Sequence, residues 1–344
     1  MLDAHHAEMR RVARNAGLTY ATDQKPGIQR RGRMRKWDYI DPKGKKIRDV
    51  SVLERIRKLA VPPAYKRVWI NPDPRGHLQA TAFDARGRKQ YRYHAKWRKC
   101  RDGGKFTQLL EFSRILPAIR RRTRLDMRKG QLSQTKVVAC IVQLLDRTLI
   151  RVGNEEYART NQSFGLSTLK TQHAHVRGKR IHFEFKGKSG VFHEVDLDDA
   201  RLAKIIHACQ KLPGKNLFQF LDEAGKRHSV GSSDVNRYLE ETTGCHFTAK
   251  DFRTWAGTVR AAVSLAKIGG CEGVTQAKRN IAQAIKEVSQ CLRNTPAVCR
   301  KAYIHPEILN AYLEGDRVRT GGKARGGLSA EERAVAAFLR KRLA

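Results

Sequence analysis

Apolar residues recur at helical spacing through most of the chain beyond residue 105. Between Ser133 and Ile150, Val137, Val138, Cys140, Ile141, Leu144, Leu145, Leu149 and Ile150 follow one another at intervals of three and four, which predicts a helix with one buried stripe. Similar stretches predict helices over about 251–268, 275–292 and 306–313. Ser329-Ala330-Glu331-Glu332 has the capping-box pattern that opens a short basic helix. One island alternates instead: Ile181, Phe183 and Phe185 are interleaved with His182, Glu184 and Lys186, then come the turn Gly187-Lys188-Ser189-Gly190 and a second strand Val191–Val195. With Leu166–His175 these predict a three-stranded antiparallel sheet.

The first hundred residues read differently. Turn chemistry at Asp41-Pro42-Lys43-Gly44 and Pro72-Asp73-Pro74-Arg75-Gly76 separates short extended runs such as Arg67–Ile70 and Leu78–Phe83, with one helical stretch at about 51–59. The fold class expected is α+β. A small, mainly-β domain covers 1–95, a charged and Gly-rich connection 96–105, a predominantly α-helical domain containing the three-stranded sheet 106–319, and a Gly-rich hinge with a basic C-terminal helix 320–344.

Charge narrows the class. The 344 residues carry 70 Lys and Arg against 33 Asp and Glu, a formal net charge of +37. A chain so self-repelling calls for a polyanionic partner, with nucleic acid the leading candidate. The excess is uneven: residues 1–100 hold 26 Lys and Arg against 9 Asp and Glu. Gln29-Arg30-Arg31-Gly32-Arg33-Met34-Arg35-Lys36 is expected to be too charged to pack and to track phosphates. In Arg88-Lys89-Gln90-Tyr91-Arg92-Tyr93, Tyr91 and Tyr93 share a face of an extended strand, and the Gln90 amide suits an adenine edge or a phosphate; Tyr91 as core filler is the competing reading. No apolar run approaches membrane-spanning length and Met1–Arg14 lacks a signal-peptide core, so no membrane association is expected. Seven cysteines without a C-x-x-C pair point to reduced thiols and a cytoplasmic location, which for a partner of nucleic acid would be nucleoid-associated.

The usual cofactors find no motif. Gly187-Lys188-Ser189 would need glycine at 182 to be a phosphate-binding loop, and His182 stands there. His173 and His175 have no third ligand nearby, and no paired-carboxylate motif for two-metal chemistry is present. Neither metal nor cofactor is expected, so phosphate chemistry here would fall to protein cations. Phosphodiester transfer needs a nucleophile, an acid for the leaving oxygen, and fixed donors for the remaining oxygens. The C-terminal two-thirds offers Tyr303 as nucleophile, with Arg151, Lys188, Lys250, Arg253 and Asn294 as cations and donors.

The order Arg151, Lys188, Lys250-x-x-Arg253, Asn294, Tyr303 resembles the active site of type IB DNA topoisomerases, particularly the compact poxvirus and bacterial branch. Gly87-Arg88-Lys89-Gln90-Tyr91-Arg92-Tyr93-His94 resembles that family's DNA-contacting motif, and Val61-Pro62-Pro63-Ala64-Tyr65, Val68-Trp69-Ile70 and Gly76–Thr81 are similar to its bacterial members. The resemblance covers roughly residues 20–315. It implies relaxation of supercoiled duplex DNA through a 3′-phosphotyrosyl intermediate on Tyr303, strand rotation and resealing, without ATP or metal, by a monomer that clamps the duplex. Arg151 and Arg253 would hold phosphate oxygens, Lys188 would protonate the leaving 5′-oxygen, and Lys250 would assist. Asn294 departs from the poxvirus histidine; its amide can still donate to a phosphate oxygen but cannot transfer a proton. Two other readings remain at this point. Tyrosine site-specific recombinases share the catalytic logic but carry histidine where this chain has Lys250, and a non-catalytic basic DNA-binding protein would use Tyr303 only as a core aromatic.

Overall fold

The computed structural model describes residues 2–33, 36–85, 87 and 89–344, with side chains described throughout except at 2–8, 33, 98–105 and 107. Helices and strands are mixed as α+β, in two compact units, Met1–Thr107 and Gln108–Ala344.

The first unit contains α1 (Leu2–Asn15), β1 (Ile28–Arg33), β2 (Lys36–Ile40), α2 (Val50–Lys58), β3 (Lys66–Ile70), β4 (Leu78–Phe83) and β5 (Lys89–Tyr93). The strands form one antiparallel sheet in the order β2-β1-β3-β4-β5. Ala80 and Ala82 of β4 join Ile28, Ile56, Val68 and Ile70 in a core, against which Val52 of α2 and Leu59 at its C-cap pack. The alternate residues Gln79 and Thr81 are buried too, because each has a partner: Gln79 Nε2 donates to the Gly76 carbonyl at 2.7 Å and Thr81 Oγ1 to Asp23 at 2.8 Å. A second cluster, Ala13, Leu18 and Trp97, gives α1 its footing, a helix that the mainly-β expectation lacks.

Two expectations change here. The basic run 29–36 does pack: it supplies β1 and the start of β2, with Gly32 opposite Trp37, while Met34 and Arg35 lie outside the described residues. Arg30 is a structural cation, lying 4.4 Å over the Trp37 ring and donating to the carbonyls of Pro62 at 3.2 Å and Tyr65 at 2.5 Å. Residues 96–105, expected to be an exposed connection, lie within α3 (Ala95–Asp126). Phe106, Leu109, Phe112, Leu116 and Ile119 are buried at helical spacing along it, and such a stripe outweighs two glycines that cost a helix about 1 kcal/mol each.

The second unit continues with α4 (Gln134–Thr148), α5 (Glu155–Asn161), β6 (Ala174–Arg177), β7 (Arg180–Lys186), β8 (Phe192–Asp198), α6 (Ala200–Gln210), β9 (Gln219–Leu221), β10 (Arg227–Ser229), α7 (Ser232–Thr243), α8 (Ala249–Ile268), α9 (Gly273–Leu292), α10 (Pro296–Ala302), α11 (Pro306–Leu313) and α12 (Ala330–Leu343). The helices foreseen from periodicity form, and the residues of the α4 stripe are buried. The sheet β6-β7-β8 is antiparallel as expected, but its first strand is only Ala174–Arg177, since Leu166–Thr168 and Thr171–His173 are 3₁₀ turns. His173 therefore precedes the strand, where its Nδ1 accepts from the Lys170 N–H at 3.0 Å. The tail folds back onto its own unit: α12 packs on α8 and α11, and its capping box, Ser329 with Glu332, is formed.

Candidate active site

Arg253 is the buried centre of the site, with 3% of its surface exposed. It projects from α8, and its guanidinium donates to the carbonyls of Leu149 and Leu292, at the C-terminal ends of α4 and α9, the latter at 2.8 Å. A cation there meets the orphan carbonyls and the negative ends of two helix dipoles. Both ends turn on left-handed residues, Leu149 (φ 57°) and Arg293 (φ 49°), which bring the segments bearing Arg151 and Asn294 to the same place. Arg253 Nε has no partner.

Arg151 follows directly from α4. Its backbone is pinned by Leu166 N–H on the Arg151 carbonyl at 2.8 Å, and Gly165 is required beside it because a Cβ would stand 2.5 Å from that oxygen. The Arg151 guanidinium donates to Asn294 Oδ1 at 2.5 Å. With its oxygen so engaged, the Asn294 amide presents Nδ2 the other way, buried and without a partner. Burial and the charge of Arg253 lower the Arg151 pKa, the mark of a cation without a counter-ion.

Tyr303 closes α10. Its N–H bonds the Cys299 carbonyl at 2.9 Å, and its ring lies 5.1 Å from the Arg253 guanidinium carbon. Burial opposes ionisation of the phenol, but Arg253, Arg151 and Lys250 outweigh it, so the pKa falls below the ordinary tyrosine value. Lys250 is exposed in the first turn of α8. Lys188 is exposed in the turn between β7 and β8, with no hydrogen bond or ion pair among the described residues. The hairpin itself is moored to the site by Arg293, whose guanidinium donates to the carbonyls of Phe192 at 2.7 Å and Glu194 at 2.6 Å. Five of the six candidates, Arg151, Lys250, Arg253, Asn294 and Tyr303, are thus brought together by direct contact or by charge acting on the Tyr303 phenol, and Lys188 stands at the tip of a hairpin anchored beside them.

The first unit's candidates lie at a sheet edge. Tyr91 and Tyr93 are exposed on β5 with rings stacked 6.1 Å apart, so Tyr91 is not core filler. Gln90 Nε2 donates to Asp84 at 3.0 Å, and Lys89 pairs with Asp23 at 2.5 Å. Arg88, like Arg86, lies outside the described residues.

Comparison with known proteins identifies the family. Residues 94–318 match the catalytic core of eukaryotic DNA topoisomerase I, a stretch that contains every residue from Arg151 to Tyr303. Residues 36–84 match the N-terminal domain of bacterial DNA topoisomerase IB. The chain is 34% identical over 267 residues to DNA topoisomerase 1B of Acanthamoeba polyphaga mimivirus, covering 76% of this chain and 80% of the relative. The chain belongs to the type IB DNA topoisomerases. DNA topoisomerase I of monkeypox virus is 22% identical over 247 residues, covering 71% of this chain and 75% of that one. As a type I topoisomerase the protein is an isomerase.

Sequence reasoning missed the topoisomerase residues that hold this site in place. Gly257 lets α8 approach the backbone of Tyr303: a Cβ there would lie 2.5 Å from the Tyr303 carbonyl oxygen. Thr258 Oγ1 lies 3.4 Å from the same oxygen and accepts from the His305 N–H at 3.0 Å. Only their position one turn beyond Arg253 could have drawn attention to them.

Proposed function

We propose that this protein relaxes supercoiled duplex DNA by reversible transesterification at Tyr303. The phenol oxygen attacks the phosphorus of a backbone phosphodiester, a 3′-phosphotyrosyl bond forms, and the bond to the 5′-oxygen breaks. Lys188 gives that oxygen its proton, and the phenol's proton leaves to water. After strand rotation the 5′-hydroxyl attacks the phosphotyrosyl bond and restores the strand. One phosphate ester replaces another at each step, so neither ATP nor a metal is called for. Arg151, Arg253 and Asn294 hold the non-bridging oxygens, with Lys250 as a further donor.

The observation that carries this reading is the unmet donors. Arg253 Nε and Asn294 Nδ2 are buried and unpartnered, within a cluster of arginines that forms no ion pair among the described residues. Leaving a buried donor unsatisfied costs roughly 1–3 kcal/mol, and a phosphate dianion-like transition state would satisfy both at once. The basic first unit, through Gln90, Tyr91, Tyr93, Lys89 and Arg88, would engage the same duplex, the protein acting as a monomeric clamp. Lys89 would have to exchange Asp23 for phosphate to take part.

The test is relaxation of plasmid in EDTA without ATP, with covalent capture of the enzyme on a 3′ end after denaturation. Wild type relaxes and is captured; Tyr303→Phe does neither. Equal behaviour of the two proteins, or capture on the 5′ end, overturns the proposal.

A further inference from the structure

His193 lies on β8 directly opposite Phe185 of β7, its ring stacked on the phenyl at 4.8 Å and 16°. It is 4% exposed, and neither Nδ1 nor Nε2 has a hydrogen-bond partner. Its ring edge fills the space under the turn that carries Lys188: a Cβ on Gly187 would stand 2.5 Å from both Cδ2 and Nε2. Arg293 grips the carbonyls on either side of it, those of Phe192 and Glu194. Burial, then the charges of Arg293, Arg151 and Arg253, push its pKa down to about 4, so the ring is neutral at working pH, with one N–H and one lone pair both unused. A phenylalanine would stack on Phe185 equally well at no desolvation cost. Two orphaned ring nitrogens directly beneath the Lys188 turn are therefore a feature that packing alone does not explain.

We infer that His193 is a positioning residue for Lys188. When the turn engages the scissile phosphate, a ring nitrogen accepts from the Lys188 backbone N–H, since the Gly187 N–H and carbonyl are already bonded to the Val191 carbonyl at 2.7 Å and the Gly190 N–H at 3.1 Å, and this holds Nζ at the leaving 5′-oxygen. The inference rests on the assignment of Lys188 as general acid made above.

The experiment compares single-turnover cleavage of two DNA duplexes, one with the natural 5′-oxygen at the scissile phosphate and one with a bridging 5′-sulfur. A thiolate leaves without being protonated, so the sulfur substrate does not need the general acid. His193→Phe keeps the ring stack; it should cleave the oxygen substrate about tenfold or more slowly yet come within about twofold of wild type on sulfur, following Lys188→Ala. In a Lys188→Ala background it should cost little more, whereas independent effects would multiply. His193→Gln, which restores a donor and an acceptor, should recover part of the oxygen-substrate rate, and it serves as the primary variant should His193→Phe fold poorly by circular dichroism. Wild-type rates for the variants on oxygen, or an equal loss on both substrates, overturn the role of His193 while leaving Lys188 intact. Failure of sulfur to rescue Lys188→Ala itself removes the general-acid assignment and this inference with it.

Discussion

Two arginines withdrawn from solvent in the second unit, Arg120 and Arg253, are surrounded in opposite ways. Arg120 of α3 donates to Asp146 of α4 at 2.8 and 3.0 Å and to Glu332 of α12 at 2.8 and 2.9 Å, and Glu332 also accepts from Trp255 Nε1 of α8 at 3.2 Å. Burial works against the Arg120 charge, but the two carboxylates more than offset it and its pKa is raised. Arg253, more deeply buried, has two carbonyls and the Tyr303 phenol, no ion pair among the described residues and an unused Nε–H. A closed network ties four helices together and has nothing left to offer a ligand. An open one is costly to the free protein and useful only when an anion arrives. The contrast separates what holds this domain from what the proposed reaction would use.

The sharpest way to break that contrast is at the open end. Arg253→Ala is expected to slow single-turnover cleavage by about 10³-fold, and Asn294→Ala, which removes one neutral donor, by about tenfold. The reverse order in rapid-quench cleavage would remove Arg253 from the centre of the site. At the closed end, Glu332→Ala leaves Arg120 with one carboxylate; it should cost about 3 kcal/mol in denaturant unfolding while leaving the cleavage rate of the folded enzyme unchanged. A cleavage defect at full folding would show that α12 acts on α8 catalytically, through Trp255.

Acid offers the mildest probe. His193 and His305 are both buried with pKa pushed down to about 4, His193 by burial and the three arginines facing it, His305 by burial against the weaker pull of Glu307. The folded protein therefore binds fewer protons than the unfolded chain between about pH 4 and pH 6.5, and stability present above pH 6.5 is lost as pH falls through that window. Each histidine contributes up to about 2 kcal/mol of loss by pH 5. His305 also caps α11 by accepting the Glu307 N–H at 3.1 Å, so His305→Asn, which caps without titrating, should reduce the difference in unfolding free energy between pH 7 and pH 5. An unchanged difference would mean that this ring is not held neutral.

Much of this was legible along the chain. The α4 stripe, the alternation of Ile181, Phe183 and Phe185, and the Ser329–Glu332 capping box are local patterns, and local patterns survive folding because each element buries the face its own residues define. Where distant partners decide, the reading failed. Arg30 looked like a free phosphate contact because neither Trp37 nor the Pro62 and Tyr65 carbonyls could be placed beside it. The Gly-rich stretch 96–105 looked like a connection because its glycines are visible in sequence and the burial of the residues around them is not.

The sequence by itself determined which helices form, that a hairpin interrupts them, that a large positive charge awaits a polyanion, and which residue types could handle a phosphodiester. Only the tertiary structure decided which of the 70 Lys and Arg are spent on the protein itself and which are left over. Arg120 and Arg253 are indistinguishable as letters; one meets two carboxylates across three helices and the other meets none. That difference depends on where Asp146, Glu332, Leu149 and Leu292 come to rest, positions set by packing between elements far apart in the chain.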